Sequence, residues 1–123
     1  MASHKVEMKT AVPNPMDPSI MDISPNEVLD KKDLVQLVDV RMDEELNGEL
    51  GHMAGIKHLP LDQVGGRLNE LSKDQTIVFI CRSGKRSATA TSFAKDQGYD
   101  AYNMEGGMIK WNELNLPLAE KKS

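Results

Sequence analysis

Apolar residues in this chain come in short runs separated by polar and glycine-rich breaks, and each run has a readable period. Residues 76–80, Thr-Ile-Val-Phe-Ile, form the densest run. It is β-branched and bounded by polar residues, which predicts a strand buried on both faces of a parallel sheet. Residues 87–97 follow as a helix, stopped by Gly98. Upstream, residues 20–23 read as a short first strand. Ser24-Pro25-Asn26-Glu27 reads as a helix start, with Ser24 as N-cap, Pro25 at the first helical position and Glu27 closing a capping box. That helix ends near Asp30-Lys31-Lys32, where the two lysines are expected to be solvated.

Residues 34–40 predict the second strand, apolar except for Gln36 and Asp39. A helix begins at Asp43-Glu44-Glu45, whose charges suit a helix N-terminus, and Arg41 and Glu45 are spaced for an ordinary ion pair. Gly48 and Gly51 frame a turn, and residues 55–59 predict a short third strand. Apolar residues at 61, 64, 68 and 71 have helical spacing, interrupted by Gly65-Gly66. A short helix or two turns is expected there, with Arg67 and Glu70 facing solvent. Residues 99–103 give the fifth strand, and Gly106-Gly107 opens a last helix that ends before Pro117, with Trp111 in the core.

Strands alternating with helices predict an α/β fold, a five-stranded parallel sheet with helices on both faces. The predicted domain spans residues 20–118. Residues 1–19 are expected to be a flexible, unpacked lead-in, because Pro13, Pro15 and Pro18 oppose regular structure. His4 within it reads as a solvated tail residue with no metal to bind. Residues 119–123 are expected to be a frayed, charged tail.

Composition narrows the function classes. A chain of 123 residues can bury one core. Its net charge of −4 argues against nucleic-acid partners, whose proteins carry clustered basic surfaces. A single cysteine excludes an intramolecular disulfide framework and a multi-cysteine zinc site. No apolar run approaches the roughly 20 residues that span a bilayer, and the first residues do not form a secretory signal. A cytoplasmic location without a membrane partner is the default expectation.

Against that acidic background, Cys81-Arg82-Ser83-Gly84-Lys85-Arg86-Ser87 stands out. Strand, tight loop and helix N-terminus make an anion cradle, because backbone N–H groups turn inward and the helix dipole adds to them. Three cations lie close to the thiol in sequence, a setting that favours the thiolate. Asp39, at the carboxyl end of a buried parallel strand, lies on the edge where open α/β sheets bind ligands, so it can share one rim with Cys81. Bracing of neighbouring loops is the plainer role for it. His52 as a general base for Cys81 would instead suggest a cysteine hydrolase.

The cysteine loop resembles the active-site loop of single-domain rhodaneses, the thiosulfate sulfurtransferases and their sulfur-carrier relatives. Three further stretches are similar to the family's other signatures, in its order. They are Leu37-Val38-Asp39-Val40-Arg41 with Glu45, then Gly51-His52-Met53-Ala54-Gly55-Ile56 with Leu59-Pro60-Leu61, and Gly98-Tyr99 through Asn103-Met104-Glu105-Gly106-Gly107-Met108 to Trp111. The resemblance implies a rhodanese-like fold and transfer of sulfane sulfur through a persulfide on Cys81. It implies that Arg82, Ser83, Gly84, Lys85, Arg86 and Ser87 bind the substrate, with Arg82 and Arg86 orienting an anionic donor and Asp39 and Arg41 in support. It also implies a structural place for His52, hydrogen-bonded beneath the sheet. The partners would be thiosulfate or a persulfide as donor and a thiol or protein as acceptor, with no cofactor or metal.

Other readings stand beside this one. A non-catalytic sulfur-carrier or docking module would need the same cysteine. Rhodanese-fold phosphatases and arsenate reductases use Cys-x5-Arg, but here the arginine is the fifth residue after Cys81 and the sixth is Ser87, so the loop is one residue short. A redox switch lacks a second cysteine to resolve it. An inert, buried cysteine is the remaining alternative.

Overall fold

The computed structural model describes residues 5–119. Its elements in chain order are β1 (Val12–Pro13), β2 (Met21–Ile23), α1 (Pro25–Asp30), β3 (Gln36–Asp39), α2 (Asp43–Leu46), β4 (Lys57–His58), α3 (Leu61–Arg67), β5 (Ile77–Ile80), α4 (Lys85–Asp96), β6 (Ala101–Met104) and α5 (Gly107–Glu113). The sheet order is β1-β2-β6-β5-β3-β4. Five of these strands are parallel, as expected, and β1 adds an antiparallel sixth at one edge.

The densest apolar run becomes β5, buried along its whole length between β3 and β6. Its side chains alternate between two cores. Ile77 and Phe79 pack with Val64 and Leu68 beside α3 and with Ala90 and Ala94 of α4. Val78 and Ile80 pack with Val28 of α1 and with Met108 and Trp111 of α5 on the other face. Helices therefore cover both faces, which is why β5 lacks polar alternation. In register, Asp39 stands opposite Ile80, so β3 ends beside the start of the cysteine loop.

Several local expectations need correction. The glycine pair 65–66 does not break α3, which runs through both and then tightens into a 3-10 turn over Leu68–Glu70. Burial of Val64 and Leu68 anchors the segment despite the weak propensity of glycine. Arg67 and Glu70 do face solvent, as an ion pair. The strands are shorter than their apolar runs, because ladder pairing ends before burial does.

The stretch before Ile20 is packed where it is described. Val12 and Pro13 pair with Asp22 and Met21, and Pro13 is accommodated because β1 is an edge strand. The N–H groups of Lys9 and Thr10 donate to the carboxylate of Glu27, 2.6 and 2.8 Å away. Val6 N–H donates to Thr76 Oγ1. Ser24 caps α1 through Glu27 N–H, but Glu27 does not reach back to close the box, and Ser24 N–H donates to Thr10 Oγ1 instead. Lys31, expected in solvent, is largely buried against Glu27 and donates to the Glu7 carbonyl. Burial alone would raise the Glu27 carboxyl. Its bonds from Lys31, Thr10 and Lys9 outweigh that and bring it down to about 2. One buried carboxylate thus supplies the partners that the proline-rich segment cannot supply to itself. His4, and residues 120–123 of the expected tail, lie outside the described residues. Ala119 N–H donates to the His52 carbonyl.

Candidate active site

Cys81 follows the last residue of β5 and is 1% exposed. Gly84 turns the loop in the left-handed conformation, φ 98°, and becomes the N-cap of α4. Only there does the chain reverse tightly enough for Gly84 N–H to donate back to Cys81 Sγ, 3.1 Å away. Ser87 Oγ, one turn into α4, lies 3.2 Å from the same sulfur.

The opposite wall is the start of α5. Met108 N–H donates to the Cys81 carbonyl at 2.8 Å and Ile109 N–H to the Arg82 carbonyl at 3.0 Å. A Cβ on Gly107, φ 57°, would come within 2.5 Å of both carbonyl oxygens, so this close approach requires glycine. With those carbonyls engaged, no hydrogen bond among the described residues takes up the N–H groups of Arg82, Ser83, Lys85, Arg86 or Ser87. Lys85, Arg86 and Ser87 open α4, where N–H groups have no intrahelical acceptor.

Behind the loop runs a buried polar chain that sequence reasoning missed. Asn103 of β6 donates from Nδ2 to Asp22 Oδ1 (2.9 Å) and to the Gly84 carbonyl (3.1 Å). Its Oδ1 is left to accept from Ser87 Oγ. Asn14 donates to the same Asp22 oxygen, so a residue of the expected lead-in reaches the second layer of the site. One signal was available: Asn103 is a polar residue at a strand position otherwise expected to be apolar.

Asp39 and Arg41 form a fully buried pair, 2.8 Å at the shortest, and Arg41 also donates to the Gly51 carbonyl. Asp39 is 0% exposed, and its carboxylate is taken up by the Arg41 N–H and guanidinium, so it braces the loop after β3. The Arg41–Glu45 side-chain pair does not form. Asp39 captures the Arg41 guanidinium in the interior, and Glu45 turns outward to hold both Nη atoms of Arg86, at 2.8 and 2.9 Å. Both described histidines are satisfied elsewhere: His52 Nδ1 bonds the Leu46 carbonyl, and His58 bonds the Arg41 carbonyl and Asp43. Neither is among the partners of Cys81 Sγ. Among the described residues no cluster of His, Cys, Asp or Glu is arranged to hold a metal ion, and no helix is long and apolar enough to cross a membrane.

Residues 24–114 match the model of the rhodanese-like domain. The chain belongs to the rhodanese family. It is 35% identical over 91 residues to the putative sulfurtransferase YtwF of Bacillus subtilis, covering 74% of this chain and 86% of that one. It is 34% identical over 96 residues to the thiosulfate sulfurtransferase GlpE of Pseudoalteromonas translucida, covering 77% and 89%. A rhodanese-related protein from Thermoplasma volcanium superposes with a TM-score of 0.76 at 26% identity, over 81% of this chain and 98% of that chain.

The loop cations of this chain differ in their surroundings. Arg82 and Lys85 are exposed and in no ion pair among the described residues. Arg86 is half-buried and tied to Glu45. Its bond to Arg86 holds the Glu45 carboxyl below the usual carboxylate range, against burial that would raise it. A cleft of about 230 Å³ borders the loop, lined by Arg41, Glu44, Glu45, Glu49, Leu50 and Arg82.

Proposed function

We propose that the protein is a sulfurtransferase that carries sulfane sulfur as a persulfide on Cys81. The Cys81 thiolate attacks the outer sulfur of the donor, and the donor's S–S bond breaks with the electron pair leaving on sulfite or on a thiolate. The sulfur stays as Cys81–S–S⁻. An acceptor thiol, a protein acceptor or cyanide then takes the outer sulfur and regenerates the thiolate. The observation that carries this reading is the arrangement around Sγ. Gly84 N–H holds the inner sulfur, Ser87 Oγ lies 3.2 Å from it, and the unengaged N–H groups of residues 82, 83 and 85–87 are available to an outer sulfur anion. Arg82 and Lys85 are the exposed cations of the loop, and Asp39 and Arg41 keep the loop geometry. The short loop disfavours a phosphate, and no cofactor enters the reaction. A single thiol that must stay reduced fits a cytoplasmic setting.

The test is an intact mass after incubation with thiosulfate or a persulfide. The protein should gain one sulfur atom, removable by cyanide, and Cys81→Ser should gain none while remaining folded. No gain from either donor would refute the reading.

A further inference from the structure

In chain order the loop carries an excess of three positive charges, but in space two of them, Arg82 and Arg86, meet carboxylates. Glu45, at the start of α2, binds both Nη atoms of Arg86 and is itself held by Met42 N–H at 2.9 Å. Glu44 and Glu49 are exposed, line the same cleft as Arg82, and make no ion pair among the described residues. Three carboxylates from residues 44–49 therefore face Arg82 and Arg86, while Lys85 lines a separate cleft with Asp17. Arg41 adds no free charge, because Asp39 neutralises it.

Resting on the sulfurtransferase reading, we infer that Glu45 is a specificity-determining residue. By engaging Arg86 it makes the site select sulfur donors of low net charge, organic persulfides, over the thiosulfate dianion. Cys81 attacks an outer sulfur in either donor, so the cradle around Sγ does not discriminate between them. What differs is the leaving half, sulfite or an organic thiolate, and the charge it brings toward Arg86. A dianion must displace Glu45 from the guanidinium or bind beside a pair whose attraction and repulsion nearly cancel. A persulfide whose charge is balanced by its own ammonium meets neither cost. The step is otherwise the same: the S–Sγ bond forms, the donor's S–S bond breaks, and the pair leaves with the thiolate.

The test compares thiosulfate with cysteamine persulfide as donors for the wild type and for Glu45→Gln. The substitution keeps hydrogen-bonding capacity and removes the charge. We expect kcat/KM with thiosulfate to rise about fivefold and with cysteamine persulfide to change by less than about twofold. No rise with thiosulfate, or an equal rise on both donors, overturns the inference. The wild-type protein carries a second test without substitution. Between about 0.02 and 0.2 M salt its thiosulfate kcat/KM should stay within about twofold, because the carboxylates of residues 44–49 offset Arg82 and Arg86. A several-fold fall would mean that Arg82 and Arg86 act unopposed, and would overturn the inference while leaving sulfur transfer intact. A wild type that takes sulfur from neither donor removes both.

Discussion

Two arginine–carboxylate pairs flank the cysteine loop, and their difference separates scaffold from site. Arg41 and Asp39 are two residues apart in the chain and fully buried, with the guanidinium also held by the Gly51 carbonyl. Arg86 and Glu45 are 41 residues apart, and each side chain is about one-third exposed. A buried pair has no water to replace a lost partner, so removing one member strands a charge. A pair at the surface is re-solvated when broken, so its value lies in the field it leaves beside Cys81.

The largest effect should come from the buried pair. Arg41→Ala should destabilise the fold by about 3–5 kcal/mol, read from the midpoint of denaturant unfolding. A loss under about 1 kcal/mol would show that water reaches Asp39 and would erase the contrast.

Acid should then separate the carboxylates by environment. The folded Glu27 carboxyl sits at about 2, below its ordinary 4.5. A lowered folded value contributes stability that is full above the unfolded value and is lost as pH falls. Glu27 should therefore contribute up to about 3 kcal/mol near neutrality, lost between about pH 4.5 and 2. Unfolding curves of the wild type and Glu27→Gln should converge over that window. Parallel curves would sink the assignment. Glu45 has the same sign but is more exposed, so Glu45→Gln should flatten the acid limb less.

The smallest stability change should come from the site pair. Arg86→Ala should alter stability by no more than about 1 kcal/mol. It should nevertheless lower thiosulfate kcat/KM by about fivefold, because Glu45 is left uncompensated beside the loop. A stability loss comparable to that of Arg41→Ala would make both pairs scaffold.

Gly107 sharpens the same line between frame and chemistry. Gly107→Ala should push α5 away from the Cys81 and Arg82 carbonyls, since a Cβ there has 2.5 Å of room. Sulfur uptake followed by mass should slow while the sheet, monitored by far-ultraviolet circular dichroism, persists. Unchanged uptake would show that the α5 wall does not shape the cradle.

Much of this was legible in the chain itself, for a physical reason. Strand period, helix caps and the strand-loop-helix around Cys81 are local properties, written in neighbouring residues. The apolar run of β5, the cap Ser24-Pro25 and the turn glycine Gly84 each state their conformation within a few positions. The family signatures are local in the same way, so the fold class and the cysteine loop could be read together. What the chain order could not decide was which charges meet. Local spacing favoured Arg41 with Glu45, and only the sheet, by setting β3 beside β5, gave Asp39 to Arg41 and released Glu45 to Arg86. The same holds for Glu27 gathering residues 9 and 10, and for Asn103 linking Ser87 to Asp22. Hydrogen bonds and ion pairs act over a few ångströms in space regardless of separation along the chain. Periodicity therefore determined the elements and the thiol's place, and tertiary packing alone decided the electrostatic surroundings in which that thiol sits.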